Sequence, residues 1–334
     1  LHDALPISIA IEKTGKPLPD QTLNLCRNTD CILFGAIGDP IYDNNPTAKV
    51  RPEQGLLKLR KELGLYANIR PIKAYPHLMS SSPIKKEVLD GTDFVVYREL
   101  NGGLYFGKKT TNETETYASD LCEYNESEIA KITHLAFKAA QARRKKVTLV
   151  DKANVLETSR LWRRVVAEIA TDYPDVELNF LYVDNAAMQI ILNPRQFDVL
   201  LTDNLFGDIL SDEASVISGS IGLMASASIG DYHSLFEPIH GCYTEAKDKN
   251  IANPIASILS VAMLLEHFGL FEEAKKVIAA VEAAISNQVV TVDLKVDSRF
   301  GTNEVGDFIV NNIMDAEDLY FKKDFVKIGR STIV

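Results

Sequence analysis

Short apolar runs alternate along this chain with stretches whose apolar residues recur at helical spacing. Four of the runs are bounded by polar residues and predict buried β-strands: DFVVY (93–97), VTLV (147–150), LNFLYV (178–183) and FDVLL (197–201). Two helical stripes lie between them: Ile129, Ile132, Ala136 and Ala140, then Leu161, Val165 and Ile169. Strands that alternate with helices predict an α/β fold with largely parallel pairing.

The first of these helices carries signals at both ends. Asn125 is a favourable N-cap residue, and Glu128 stands three residues later, at the capping-box position. The basic run that starts at Arg143 closes the helix, where cations suit the C-terminal dipole. We therefore expect a capped helix that ends in a solvated basic face.

Polar residues follow each predicted strand. They are Arg98 and Glu99, then Asp151 and Lys152, then Asp184, then Thr202 and Asp203 with Asp208 beyond. In open α/β sheets, ligands bind beyond the carboxyl ends of the strands. The ends of strands are often exposed to solvent and polar for that reason alone. Four successive strand ends that carry both positive and negative side chains nevertheless favour one shared binding site.

Asp208 and Asp212 stand four residues apart, and are therefore neighbours if this segment is helical. Like charges at this spacing repel by about 0.2–0.5 kcal/mol when exposed. The pair is either a solvated acidic face or part of a cation site. Together with Asp184, and without a His or Cys cluster, it offers hard oxygen ligands that suit Mg²⁺ or Mn²⁺ and not Zn²⁺. A divalent cation would relieve the repulsion.

Three arginines recur along the chain: Arg60 and Arg70 lie in the segment LLKLRKELGLYANIRP (56–71), and Arg98 follows the first predicted strand. Arg binds carboxylates through two parallel hydrogen bonds, so three of them beside a metal suggest a di- or tricarboxylate substrate. Taken singly, each is more often a surface charge.

Composition and absent motifs narrow the class of protein. The formal net charge of −10 disfavours nucleic acid or an anionic membrane as a partner. No apolar run approaches the ~18 residues of a membrane span. The four cysteines form no C-x-x-C pair, so we expect a reduced, cytoplasmic setting. P-loop, G-x-S-x-G and H-E-x-x-H motifs are absent, and neither GAIGDP (35–40) nor NGGLYFG (101–107) matches the Rossmann G-x-G-x-x-G pattern.

Seven longer segments resemble the β-decarboxylating dehydrogenases, the isocitrate/isopropylmalate dehydrogenase family, and within it the isopropylmalate branch. They are RPEQGLLKLRKELGLYANIRP (51–71), RELNGGLYFG (98–107), VDKANVLETS (150–159), YVDNAAMQ (182–189), DNLFGDILSDEAS (203–215), FEPIHG (236–241) and NIANP (250–254). The resemblance extends from about residue 11 to about residue 310.

This resemblance implies a two-domain α/β fold that is not Rossmann-like. Residues 66–218 would form the substrate, metal and dimerisation domain. Residues 1–65 plus 219–334 would form the cofactor-side domain, and the family's first strand and helix, with its Gly-Asp-Gly-Ile-Gly-Pro loop, have no counterpart in this sequence.

The implied activity is the NAD-dependent oxidation and decarboxylation of 3-isopropylmalate to 2-oxoisocaproate in leucine biosynthesis, with Mg²⁺ or Mn²⁺, by a homodimer with shared active sites. The alternatives are a tartrate or homoisocitrate dehydrogenase, or an inactive truncated chain that retains only dimerisation and ligand binding.

The resemblance also implies roles for individual residues. Lys152 would be the base that removes the hydroxyl proton, and Tyr105 the acid that protonates the enol carbon. Asp208 and Asp212 would bind the metal together with Asp184, which a second subunit would contribute along with Lys152. The implied substrate-binding residues are Glu53, Leu56, Leu57, Arg60, Arg70, Arg98 and Val155. Of these, the apolar ones would surround the isopropyl group.

The implied cofactor-binding residues are His240, Gly241, Glu245, Asn253, Asn154 and Asp297. The family's His-Gly-Ser sequence reads His-Gly-Cys here, and Asp248 stands where the family has glycine. A carboxylate at Glu245 can accept a hydrogen bond from a ribose 2′-hydroxyl but repels a 2′-phosphate, so NAD⁺ is expected over NADP⁺.

Overall fold

The structure is a computed structural model that describes residues 7–43, 45, 48 and 50–319. The outermost parts of the expected cofactor-side domain, residues 1–6 and 320–334, lie outside the described residues. The described residues form two compact units. Unit 1 comprises those within Leu1–Leu65 and Gly219–Gly329, and unit 2 comprises Tyr66–Ser218.

Within the described residues, the strands in chain order are β1 (Ile32–Leu33), β2 (Leu65–Lys73), β3 (Asp93–Glu99), β4 (Lys109–Thr111), β5 (Ala118–Asp120), β6 (Lys146–Asp151), β7 (Glu177–Tyr182), β8 (Val199–Thr202), β9 (Ala225–Gly230) and β10 (Ser234–Pro238). The α-helices are α1 (Ile7–Thr14), α2 (Asp20–Arg27), α3 (Pro40–Asp43), α4 (Pro52–Glu62), α5 (Lys86–Leu89), α6 (Glu126–Ala142), α7 (Glu157–Ala170), α8 (Val183–Leu192), α9 (Asn204–Ser218), α10 (Ile255–His267), α11 (Phe271–Ser286) and α12 (Thr302–Leu319).

The sheet of unit 2 has the strand order β2-β3-β8-β6-β7. The pairs β3–β8, β8–β6 and β6–β7 are parallel, whereas β2 runs antiparallel to β3. In this register Thr202 lies opposite both Arg98 and Val150, and Asp151 lies opposite Tyr182. Parallel pairing therefore brings the carboxyl ends of four strands to one edge of the sheet.

The four strands expected from the apolar runs are confirmed, with ends displaced by one or two residues. Burial is confirmed for β3, β6 and β8 but is wrong for β7, where three of the six residues are exposed. As the last strand of the sheet, β7 is not covered on both faces as β3 and β8 are. Val183, expected in this strand, begins α8 instead.

Most residues of the two predicted helical stripes are buried, as their spacing predicts. Ile129, Ile132, Ala136 and Ala140 on α6 are fully buried, and Val165 and Ile169 on α7 are buried as well. On α7 the largest buried side chain is Trp162, at 2% exposure. Its neighbour Leu161 is half-buried.

The basic run after α6 is not a solvated face throughout, because Arg143 is buried. Its Nε donates to Asp198 Oδ1 at 2.9 Å, and its Nη2 donates to Asp93 Oδ1 at 2.6 Å. Asp93 begins β3 and Asp198 immediately precedes β8. The guanidinium therefore joins the amino ends of two parallel strands. A buried charge is tolerated when it is paired and hydrogen-bonded, and here carboxylates meet that condition.

In unit 1, β10 pairs in parallel with β1 and antiparallel with β9. Helix α10 packs on β9 and β10, and α11 packs between α10 and α12. The buried side chains of these elements form the core of the unit, with Leu235, Phe236, Ile255 and Val281 fully buried. Among the helices in the described residues, none is both long enough and apolar enough to cross a membrane.

The capped start of α6 is confirmed and gives a stability prediction. Asn125 Oδ1 accepts from the Glu128 amide at 3.1 Å, and the Asn125 amide donates to the Glu128 carboxylate at 3.0 Å. Asn125→Ala should lower the free energy of unfolding in urea by about 1 kcal/mol, because the Glu128 amide at the helix start loses its acceptor. Asn125→Ser should retain most of this free energy of unfolding, because serine is also a favourable N-cap residue. An equal loss in both variants would contradict the role of Asn125 as the N-cap.

Candidate functional site

The first part of the site forms where β3 ends beside the start of α9. Arg98 is 2% exposed. Its Nε and Nη2 donate to Asn204 Oδ1 at 3.1 and 2.8 Å, and its Nη1 donates to Asp208 Oδ1. Helix α9 starts just after β8, the parallel neighbour of β3. Gly207 permits this approach, since a Cβ there would lie 2.6 Å from Arg98 Cγ.

Arg70 reaches the same helix from the antiparallel strand β2. Its Nε donates to Asn68 Oδ1 at 2.7 Å, and its Nη1 donates to Ser211 Oγ at 2.6 Å and to Asp212 Oδ1 at 3.0 Å. Its Nη2 lies 3.6 Å from Asp208 Oδ1. One guanidinium thus contacts both aspartates that the sequence placed a helical turn apart.

Tyr105 completes this group, which we call the arginine–aspartate cluster: Arg70, Arg98, Tyr105, Asp208 and Asp212. The Tyr105 hydroxyl donates to Asp208 Oδ2 at 2.5 Å, and the Arg98 guanidinium lies 5.4 Å from the centre of its ring. Burial, and next the hydrogen bond to Asp208, raise the pKa of Tyr105 to about 12. Tyr105 is therefore a protonated phenol at neutral pH and can act as a hydrogen-bond or proton donor.

The two aspartates are held close together with incomplete burial, as their side chains are 33% and 56% exposed. Burial raises the pKa of Asp212 and the charge of Asp208 adds to this effect, while Arg70 opposes it. Two carboxylates that repel each other and face solvent are a suitable donor set for a hard divalent cation. Within the described residues, however, no group of three or more His, Cys, Asp or Glu side chains could hold a metal ion. A single chain thus does not bring Asp184 to Asp208 and Asp212.

Asp184 instead pairs with Lys152. The Lys152 Nζ lies 2.5 Å from Asp184 Oδ1, and this hydrogen bond lowers the pKa of the Asp184 carboxyl. The two residues follow the carboxyl ends of β6 and β7, which are parallel neighbours. Asn154 and Val155 lie on the turn after Lys152 and are both exposed, with the Val155 side chain 61% accessible.

The remaining expected substrate residues lie on α4 in unit 1. Arg60 is 8% exposed and donates from Nη2 to Glu237 Oε1 at 2.8 Å. Its Nε is buried with no hydrogen-bond partner in the part of the chain that is described. Leu56 is packed into the core of this unit, Leu57 is half-buried, and Glu53 is exposed.

The expected cofactor loop of unit 1 packs against the glycine-containing segment GAIGDP. The Cys242 amide donates to Ile37 O at 2.8 Å, directly after His240 and Gly241. A Cβ on Gly38 would lie 3.9 Å from both Cys242 and a Glu53 carboxylate oxygen. The sequence did not predict that these segments meet.

Further along the same loop, the amide side chain of Asn253 donates to Asp293 Oδ2 at 3.0 Å. Glu245 and Asp297 are exposed. Asp248 has a φ of 61°, in the left-handed region that favours glycine, which explains why glycine is the expected residue there.

Sequence reasoning missed several residues that shape the site. Asn204 orients Arg98, and Asn68 and Ser211 orient Arg70. Glu99 is 1% exposed, and its carboxylate accepts from the amides of Asn101 and Gly102 at 2.6 and 2.8 Å. It therefore fixes the turn that leads to Tyr105. The sequence named Glu99 among the polar residues at strand ends, and what it missed is the role, because no spacing rule identifies a carboxylate that binds its own loop.

Known proteins provide the remaining evidence. Residues 5–309 match the family described as isocitrate/isopropylmalate dehydrogenase. The 3-isopropylmalate dehydrogenase of Bacteroides fragilis is 50% identical over 309 residues, which cover 92% of this chain and 87% of that protein. The 3-isopropylmalate dehydrogenase of Aquifex aeolicus is 49% identical over 317 residues, covering 93% and 87%.

Solved structures agree. The isocitrate dehydrogenase from Methylococcus capsulatus superposes with a TM-score of 0.82 at 38% identity, covering 92% of this chain and 88% of that one. A β-decarboxylating dehydrogenase from Thermococcus kodakarensis gives a TM-score of 0.76 at 35% identity, covering 95% and 88%.

The chain belongs to the isocitrate/isopropylmalate dehydrogenase family. It is accordingly a decarboxylating oxidoreductase with the α/β fold of that family. The resemblance noted in the sequence is confirmed, and so is the expected fold class.

Glu99 gives a pH prediction. Burial raises the pKa of its carboxyl from 4.5 to about 7 against the opposing amide hydrogen bonds. Between these values the folded state retains a proton that the unfolded state has lost, so the free energy of unfolding should fall as pH rises. The full effect is about 3 kcal/mol.

Glu99→Gln should flatten this slope when urea unfolding is measured between pH 4.5 and 7. Part of the slope will remain, because burial also raises the pKa of Asp203, to about 6. The exposed Glu113→Gln is the control and should leave the slope unchanged. An unaltered slope in Glu99→Gln would refute the assignment.

Proposed function

We propose that this chain oxidises the C2 hydroxyl of 3-isopropylmalate with NAD⁺ and decarboxylates the product to 2-oxoisocaproate. The observation that carries this proposal is the arginine–aspartate cluster, in which Arg70 and Arg98 meet Asp208, Asp212 and Tyr105 on one face of α9. Relatives named 3-isopropylmalate dehydrogenase, about half identical to this chain, support the choice of substrate.

Substrate carboxylates would be bound by the three arginines. Arg70 and Arg98 are nearly buried and held by amide and hydroxyl groups, so their guanidinium planes are already oriented. Arg60 supports the assignment independently, because its buried Nε has no acceptor among the described residues and an anionic ligand could supply one. The half-buried Leu57 and the exposed Val155 offer apolar surface to a branched side group.

A divalent cation, Mg²⁺ or Mn²⁺, would be held by Asp208 and Asp212, whose mutual repulsion and solvent exposure fit such an ion. When bound, it would polarise the C2 oxygen and stabilise negative charge on it. Tyr105 is a protonated phenol within the cluster and is placed to donate a proton. Lys152 would first lose a proton from its ammonium group to solvent. The neutral amine could then accept the proton of the substrate C2 hydroxyl.

The positions of the acidic residues support the proposal of a homodimer with shared sites. Asp184 and Lys152 form their own pair, and no described trio of acidic, His or Cys residues within one chain could hold the metal. A second copy that contributes Asp184 and Lys152 would complete both the ligand set and the proton-transfer pair.

NAD⁺ is the proposed cofactor, bound by the loop from His240 to Asn253 together with Asn154 and Asp297. Glu245 is exposed on this loop, where a carboxylate would accept from a ribose hydroxyl and repel a 2′-phosphate. All four cysteines are free, which supports a reducing compartment, and we propose the cytoplasm.

The test is turnover of 3-isopropylmalate with NAD⁺ and Mn²⁺, followed by NADH absorbance. We expect kcat/KM at least tenfold above that for isocitrate, malate, tartrate or homoisocitrate, because each buried methylene of the isopropyl group contributes about 0.8 kcal/mol. Replacing NAD⁺ by NADP⁺ should lower kcat/KM at least tenfold. A higher kcat/KM for tartrate or homoisocitrate would make that compound the substrate. Absence of turnover with every substrate would leave the third alternative, an inactive chain that retains only dimerisation and ligand binding.

Metal binding can be tested without turnover. Mn²⁺ or Mg²⁺ should raise the melting temperature, because the cation offsets repulsion between Asp208 and Asp212 in the folded state only. Asp208→Asn should abolish the rise, whereas Glu213→Gln, one residue beyond Asp212 on the same helix, should preserve it. A rise that persists in Asp208→Asn would place the metal elsewhere.

A further inference from the structure

Arg163, on α7, contacts the ends of both strands that precede Lys152 and Asp184. Its Nε and Nη2 donate to the two carboxylate oxygens of Asp151 at 2.5 and 3.1 Å, and Asp151 is the last residue of β6. The guanidinium also lies over two rings of β7, 5.1 Å from the centre of Phe180 and 4.9 Å from that of Tyr182. One side chain thus joins the carboxyl ends of two parallel strands.

The contacts continue from Asp151 into the backbone of Lys152. Asp151 Oδ1 accepts from the Ala153 amide at 2.9 Å, and the Lys152 amide donates to Ser159 Oγ at 3.0 Å. The Asp151 side chain is only 3% exposed, so its charge depends on Arg163 for compensation. Without the guanidinium, a buried carboxylate would lose its cation and the turn that carries Lys152 would lose its fixed end.

Strand β7 leads to Asp184, the second residue of the Lys152–Asp184 pair. Phe180 and Tyr182 point to the same face of β7 because they are two residues apart, and Asp184 follows two residues after Tyr182. At the carboxyl end of β7, therefore, the strand surface that meets Arg163 leads directly into the first turn of α8. The distance of 2.5 Å between Lys152 Nζ and Asp184 Oδ1 requires both ends to keep this register.

We infer that Arg163 is a positioning residue for the Lys152–Asp184 pair: by binding Asp151 and stacking on Phe180 and Tyr182, it fixes the separation of the two strand ends. This inference rests on the proposed function, in which Lys152 accepts the substrate proton. Arg163 itself acts only through Asp151 and the β7 rings. Lys at this position keeps the charge but cannot form the two parallel hydrogen bonds or the planar stack.

The experiment compares Arg163→Gln and Arg163→Lys with Arg164→Gln in the 334-residue chain. Arg164 is the matched control, since it is the next residue on α7 and forms an exposed ion pair with Glu126. For Arg163→Gln we expect kcat for 3-isopropylmalate to fall at least 30-fold while KM changes less than threefold. Arg163→Lys should recover part of kcat, and the control should match the parent chain within twofold.

Amide hydrogen exchange provides a readout that does not require turnover. In Arg163→Gln, exchange of the amides of residues 152–153 should accelerate at least tenfold, while the amides of β3 and β8 keep their protection. Uniform acceleration across Tyr66–Ser218 would mean that Arg163 only stabilises the fold, and would overturn the inference. So would unchanged exchange at residues 152–153, or a kcat within twofold of the parent chain. If the parent chain fails to turn over 3-isopropylmalate, the proposed function fails, and the exchange measurement still decides the role of Arg163.

Discussion

Parallel hydrogen bonding among β3, β8, β6 and β7 determines which charged groups meet at the carboxyl edge of the unit 2 sheet. Because adjacent parallel strands end at the same edge, the residues that follow them become neighbours although they are 32 to 110 positions apart in sequence. Arg98 meets α9 for this reason, and Lys152 meets Asp184. The opposite edge is fixed by Arg143, whose two carboxylate partners begin β3 and precede β8.

The arginine–aspartate cluster balances opposite charges that would be costly alone. Asp208 accepts from both Arg98 and Tyr105, and Arg70 reaches it from the antiparallel strand. Removing one partner would leave a nearly buried charge uncompensated, which is more destabilising than never having formed the pair. The same electrostatic coupling links the proposed proton donor, Tyr105, to the proposed metal ligands, Asp208 and Asp212. Burial raises the pKa of both Tyr105 and Asp212, and the charge of Asp208 adds to the rise in each, so a ligand that binds Asp208 would change the pKa of both neighbours.

Side chains outside the arginine–aspartate cluster and the Lys152–Asp184 pair hold these groups in position. Glu99 binds the amides of the turn that leads to Tyr105, and Asn204 orients Arg98. Arg163 performs the corresponding task for Lys152 through Asp151. Each of these residues is nearly buried or paired with a buried group, which limits the number of orientations open to the residue it supports.

The sequence by itself determined the α/β class, the four strands of the parallel edge and the capped start of α6, because periodicity and capping depend on residues close together in the chain. It also identified Asp208, Asp212, Lys152 and the arginines as candidates, through motifs long enough to establish the family. Only the tertiary structure decided which of these meet: Arg70 with both aspartates, and Lys152 with Asp184. It likewise buried Arg143, Glu99 and Leu56, and left three of the six residues of β7 exposed. Such outcomes depend on contacts between residues far apart in sequence and on burial at the edge of a sheet, which no local pattern records.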